Sequence, residues 1–147
     1  MGDEASGRFW LRMFQFVNII MVVKSHKDLR VYQEAFLAAM HVFEISKSFP
    51  VEERYSLTDQ IRRSSRSVSG NIAEAWRKRR YEKSFVNKLN DSEGEAAETQ
   101  NWLDFAIACK YIKQEDYDIL NNKYEHIISM LVKMMHESEK WTIKKNK

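Results

Sequence analysis

Proline and cysteine are almost missing from this chain. Its 147 residues include one proline, Pro50, one cysteine, Cys109, and four glycines. Glycine and proline disfavour helix interiors by about 1 and 3 kcal/mol, so their scarcity favours long helices. A single cysteine excludes an internal disulfide and a cysteine-based zinc site, which fits a reducing cytoplasm. Long hydrophobic runs are missing too. The nearest, Phe9 to Val23, is broken by Arg12, Gln15 and Asn18 and is too short and too polar to span a bilayer. It also lacks the basic start and small-residue cleavage site of a signal peptide. Strong charge of one sign is absent as well: the net charge is +3, so the chain as a whole is not a polycation. Its length suits one domain with a real core.

What the chain does have is a two-faced stretch from Leu57 to Arg80. At 100° per residue, Leu57, Ile61, Ser64, Val68, Ile72, Ala75 and Trp76 form one stripe. Arg62, Arg63, Arg66 and Arg77 lie roughly opposite. From Ile61 to Arg80 there are seven basic residues, Arg62, Arg63, Arg66, Arg77, Lys78, Arg79 and Arg80, and one acid, Glu74. The stripe is expected to pack inward, leaving the arginine face to water or a partner. Arg77–Arg80 would form the last turn or the following corner, where cations are also favoured by the helix dipole. Ser69-Gly70 is a place where the helix could bend.

Three more helices follow from the same periodicity. Helix one is expected from Asp28 to Lys47, with Asp28 as N-cap. It carries two apolar stripes: Leu29, Tyr32, Phe36, Met40 and Phe43, and on nearly the opposite side Val31, Ala35, Ala38, Val42 and Ile45. A surface helix of a monomer usually has one apolar side. Two sides mean either a helix central to its own domain or one covered on its second side by another subunit, with Phe36 and Val42 as interface candidates. Phe49-Pro50 ends it, and helix two begins between Val51 and Leu57. Helix three, about Tyr81 to Lys110, carries the stripe Phe85, Leu89, Ser92, Ala96, Thr99, Leu103, Ala106, with acids on its other faces. Helix four, from Glu115-Asp116 to about Glu139, carries Tyr117, Leu120, Tyr124, Ile127, Leu131 and Met134, and Trp141 would close the bundle end. Short connections imply an all-α, up-down-up-down antiparallel four-helix bundle over residues 24–141, with an apolar extension before it (1–23) and a fraying basic tail after it (142–147). The extension is either a stretch in front of a native start at Met21 or an interfacial or partner-binding segment.

Catalytic constellations are not found. None of His26, His41, His126 or His136 has a glutamate three positions before it, as di-iron bundles need. There is no His-Glu-x-x-His and no glycine-rich phosphate loop. Arg62, Arg63 and Arg66 lack the nearby histidine of helical ribonucleases. Cys109 is assigned to core packing, and His126 and His136 to the surface. The helix-three acids Asp91, Glu93, Glu95, Glu98 and Asp104 form a solvated face, with a metal-dependent hydrolase as the minor alternative. The expectation is therefore no enzyme, no metal and no cofactor.

The residues also resemble a family: the four-helix-bundle proteins encoded in intervening sequences of 23S ribosomal RNA genes, also called S23-like. The similarity begins at Asp28-Leu29-Arg30-Val31-Tyr32-Gln33 and continues through Phe49-Pro50-Val51-Glu52-Glu53-Arg54-Tyr55-Ser56-Leu57-Thr58. Its most specific parts are Gln60-Ile61-Arg62-Arg63-Ser64 and Asn71-Ile72-Ala73-Glu74. Glu98-Thr99-Gln100 and Trp102-Leu103-Asp104-Phe105-Ala106 extend it. The resemblance implies a left-handed bundle that assembles as a homopentamer in bacteria, with a basic surface proposed to meet nucleic acid and no established enzymatic activity. A related bundle serves as accessory protein to reverse transcriptases, which implies a possible protein partner. Val68-Ser69-Gly70 departs from the family's Ile-Pro-Ser, so its kink should be lost here.

Two functions follow as expectations. In the first, a cytoplasmic oligomer binds structured RNA or an RNA–DNA hybrid, with Arg62, Arg63, Arg66, Arg77, Lys78, Arg79 and Arg80 on phosphates; such binding weakens steeply with salt, and a ring of subunits would add avidity. In the second, the chain is an interaction scaffold such as a reverse-transcriptase accessory subunit. Its arginines then pair with acids of a neighbouring subunit, and Asn71 and Glu74 link helix ends across an interface.

Overall fold

The computed structural model describes residues 22–144; the apolar stretch up to Met21 and the last three residues lie outside them. Four long helices carry the fold: α1 (Arg30–Ser46), α2 (Leu57–Arg77), α3 (Glu82–Ala108) and α4 (Gln114–His136), followed by the single turn α5 (Ser138–Trp141). No strand occurs among the described residues. Each long helix packs on its chain neighbours, and α1 closes the square against α4. Side-chain bonds give the direction of each pair. Ser64 meets Thr99, Val68 meets Ser92 and Glu74 meets Lys88, so α3 runs back along α2. Gln100 bonds Glu125 while Asp104 bonds Tyr117, so α4 runs back along α3. The bundle is up-down-up-down.

The stripes are the core. Ile61, Val68, Ile72 and Ala75 of α2, Leu89, Ala96, Leu103 and Ala106 of α3, and Leu120, Tyr124, Ile127 and Leu131 of α4 are fully buried. Each large one contributes about 1.5–3 kcal/mol. The α2–α3 seam is lined by small residues, which lets two buried bonds form between helices. Ser92 Oγ donates to the Val68 carbonyl at 2.7 Å, and Thr99 Oγ1 donates to Ser64 Oγ at 2.9 Å. Such pairs satisfy hydroxyls that would otherwise be costly to bury.

The helix ends differ from the sequence reading in instructive ways. Asp28 does not cap α1. It closes a short 3-10 turn, His26–Asp28, its Oδ2 accepting the Lys24 and Ser25 amides while Ser25 Oγ accepts the Lys27 amide. The acid reaches back along the chain, and α1 starts after Leu29 with no side-chain cap. The cap of α2 comes from Glu53, in the turn Val51–Glu53. Its Oε2 accepts from the Leu57 amide (3.1 Å) and from Ser56 Oγ (2.8 Å), and Oε1 accepts from the Tyr111 hydroxyl at 3.4 Å. α2 then runs unbroken through Ser69-Gly70. Cys109 is exposed, not in the core, because it is the C-cap of α3, beyond the last core position Ala106. The tail does not fray at once: the Thr142 amide donates to the Ser138 carbonyl and the Ile143 amide to the Arg79 carbonyl at 3.0 Å. Among the described residues, no helix is long and apolar enough to cross a membrane.

Candidate functional site

α2 presents its basic residues in two groups with different environments. Arg62 and Arg63, near its start, are engaged within the chain. Arg62 Nε donates to Ser46 Oγ at 2.8 Å and its guanidinium lies over the Phe43 ring, tying the start of α2 to the end of α1. Arg63 reaches across to α3, with Glu98 at 2.7 Å and Glu95 at 3.3 Å. The hydrogen bond to Glu98 raises the pKa of Arg63 further. The same bond lowers that of Glu98, while burial raises that of Glu95. These two arginines are structural fasteners. Exposed pairs of this kind contribute about 0–1 kcal/mol each.

The second group starts in mid-helix and gathers at the far end of the molecule. Arg66, Arg77, Lys78 and Arg80 are exposed, and among the described residues none has a carboxylate within ion-pairing distance. Arg79 is held: its Nε donates to the Trp76 carbonyl at 2.7 Å, and its guanidinium carbon lies 3.4 Å from the centroid of a Trp76 ring. Burial, and then the charge of Arg77, push its pKa down. Trp76, Arg77, Arg79, Arg80 and Ile143 line a cleft of about 390 Å³. A second hollow beside it is lined by His26, Ala73, Glu74, Arg77 and Lys78, so the N-terminal turn carrying Lys27 abuts the same end. Sequence reasoning missed His26 and Ile143, since only folding brings them to residues 77–80. The Trp76–Arg79 stack was not read from the sequence either, because Arg79 lies beyond Lys78, the C-cap of α2, where helical spacing no longer applies.

The remaining candidates separate. Asn71 Nδ2 donates to the Ser67 carbonyl one turn back, and Glu74 pairs with Lys88 of α3 at 2.8 Å, which lowers the Glu74 pKa. Val42 is fully buried in the chain's own core. Phe36 faces outward, 49% exposed, beside Leu37 at 61% and Met40 at 44%. Of the two α1 stripes, that of Val42 is thus internal, while the other is open only at Phe36 and Met40, its Leu29 being buried in the core; with Leu37 these two form an open apolar face, a kind of surface that commonly marks an interaction site. His41 lies 3.6 Å from Asp116 of α4. No cluster of three or more metal-ligating side chains occurs among the described residues.

Comparison with known proteins places this arrangement. Residues 27–133 match the family described as 23S rRNA-intervening sequence protein. A solved crystal structure, of a protein with unknown function from the S23 ribosomal protein family of Bacteroides thetaiotaomicron, is similar at 32% identity with a TM-score of 0.64. The similarity covers 71% of this chain and 97% of that one. No match is found among curated proteins.

Proposed function

The chain belongs to the 23S rRNA-intervening sequence protein family, and from that premise we propose that it is a non-catalytic, oligomeric protein that binds structured RNA, or an RNA–DNA hybrid, through the basic end of its bundle. One observation carries the reading. The cations of α2 and its following corner divide into a group engaged by other helices, Arg62 and Arg63, and a group with no ion pair among the described residues, Arg66, Arg77, Lys78 and Arg80, whose last three members gather at one end. Stability accounts for the first group. Glu74, already paired with Lys88, is the one acid lining the two hollows; crowding like charges with so little compensation is unfavourable for the isolated chain and favourable against a polyanion. Trp76 is buried and covered by Arg79, so no stacking platform for bases accompanies the cluster, and binding would read phosphates more than sequence.

The open face of Phe36, Leu37 and Met40 favours oligomerisation, which would multiply a modest patch. The same face could instead seat a protein such as a reverse transcriptase; this is the second reading, and the apolar stripe favours it as much as it favours self-association. Binding of a structured RNA and of duplex DNA, measured across salt concentrations with mass by light scattering, separates the two. Under the first reading, Arg66→Ala/Arg77→Ala/Arg80→Ala keeps its mass and loses affinity, and its log–log salt slope flattens by about 0.7–0.9 for each phosphate no longer neutralised. A wild type that binds neither nucleic acid at low salt would overturn that reading and leave the scaffold.

A further inference from the structure

The cleft at the α2–α3 corner has more structure than a basic patch. We propose that it is a preformed seat for a single phosphate group, with Arg79 as its fork, Arg77 and Arg80 as flanking charges, and the C-terminal segment as its opposite wall. The inference deepens the nucleic-acid reading above and rests on it for the phosphate's source.

The fork is Arg79. A guanidinium has five N–H donors in one plane. One of them is spent on the Trp76 carbonyl, and one face of the plane is spent on the Trp76 ring. Among the described residues the two terminal nitrogens have no hydrogen-bond partner, and they carry four donors. A long side chain is thereby fixed before any ligand arrives, so its ordering entropy is already met and less affinity is lost on binding. The opposite wall is Ile143, held by its amide bond to the Arg79 carbonyl, so the same residue places both the fork and the wall. Lys144 follows directly.

The lining chooses the ligand class. It contains three guanidiniums and no acid. Forked donors fit either carboxylate or phosphate, but a carboxylate holds its two oxygens in one plane, whereas the oxygens of a phosphate, diester or monoester, are arranged tetrahedrally. A tetrahedral phosphate offers oxygens to the fork and to both flanking arginines together. The Trp76 face is already covered, so a base cannot stack there. Burial of Arg79 beside Arg77 is unfavourable without a counter-anion, and an anion in the cleft reverses the sign of that interaction.

Two sources share this chemistry: an internal phosphodiester, and a terminal or free phosphate. The test is NMR on the full wild-type chain, following the Arg79 Nε–H and Ile143 backbone amide signals. The probes are inorganic phosphate, an RNA hairpin with a 5′-hydroxyl, and the same hairpin with a 5′-phosphate. Saturable movement of both signals supports the seat. Movement with the 5′-hydroxyl hairpin assigns an internal phosphodiester, and movement only with inorganic phosphate or the 5′-phosphorylated hairpin assigns a monoester. Arg79→Lys keeps the charge and removes the fork. It should weaken RNA binding by about tenfold, the loss of a charge-assisted bond, with an unchanged salt slope; because it also removes the bond to the Trp76 carbonyl and the stack on the Trp76 ring, the melting temperature falls, and affinity is measured well below it with the fold checked by circular dichroism. RNA that binds wild type without moving Arg79 Nε–H overturns the seat and leaves the broader binding reading standing. If no RNA binds, the broader reading falls, and the phosphate titration alone decides the seat: saturation supports it, and static signals overturn it.

Discussion

At the scale of single residues, carboxylates do more fastening than their exposure suggests. Glu53 caps α2 and reaches Tyr111, and its pKa is held below the ordinary 4.5 by the bonds from Ser56 and the Leu57 amide. Glu98 is lowered by Arg63, and Glu74 by Lys88. A carboxylate with a depressed folded pKa contributes stability that is fully present above its unfolded value and is lost as pH falls through the folded one. Glu95 is raised and has the opposite sign, adding stability at low pH that is lost as pH rises through its folded value. Asp28, bonded by the Lys24 and Ser25 amides, is lowered as well, so four lowered carboxylates stand against one raised, and thermal melts should show Tm falling as pH drops below about 4.5. Glu53→Gln should flatten part of that dependence. Backbone strain sits at Lys110, which ends α3 with a φ of 62°. The Tyr111 amide bonds the Ala106 carbonyl and the Lys110 amide bonds that of Ile107, the pattern that usually carries glycine. Lys110→Gly should raise stability by about 1 kcal/mol, seen as a higher urea midpoint at constant m-value.

At the scale of elements, the helices follow from their stripes, and two of them are weaker than they need be. Gly70 in α2 and Gly94 in α3 lie in helix interiors, and a Cβ at either would meet nothing within 4 Å. Gly94→Ala should therefore stabilise by about 1 kcal/mol, and Gly70→Ala by a similar amount, without loss of RNA binding; calorimetry checks the first statement and the salt titration the second. The stripes of α2, α3 and α4 were legible because each repeats every three or four residues against one core. The ends were less so. Asp28 could cap forward or backward, and only the fold of Lys24–Asp28 decides for the turn before α1. Cys109 continues an apolar-looking run, yet the helix stops at Ala108 and turns it to solvent. Arg62 and Arg63 look like Arg66 in sequence. What separates them is Ser46, Phe43, Glu95 and Glu98, contributed by two other helices. A local pattern carries no record of such partners.

At the scale of the whole molecule, the bundle is asymmetric along its length. The corners at one end mix Glu52, Glu53, Glu115 and Asp116 with Lys47, Arg54, Lys110 and Lys113, whereas the corner after α2 at the other end gathers four basic residues, Arg77–Arg80. Its flank carries the apolar face of α1. If that face is the contact between copies, Phe36→Glu/Met40→Glu should reduce the mass in light scattering to that of one chain while the helical content stays constant, because both side chains already face outward. A mass unchanged from wild type would place the contact elsewhere. The arginines divide their labour between fastening helices and meeting phosphates, and paired single substitutions test that division most directly. The measurement is the salt dependence of RNA affinity for Arg80→Gln against Arg63→Gln, with a melting curve for each. The expected result is a slope reduced by about 0.7–0.9 at unchanged Tm for Arg80→Gln, and a lowered Tm with a near wild-type slope for Arg63→Gln. Equal slopes for Arg80→Gln and wild type, or the larger slope change in Arg63→Gln, would contradict it.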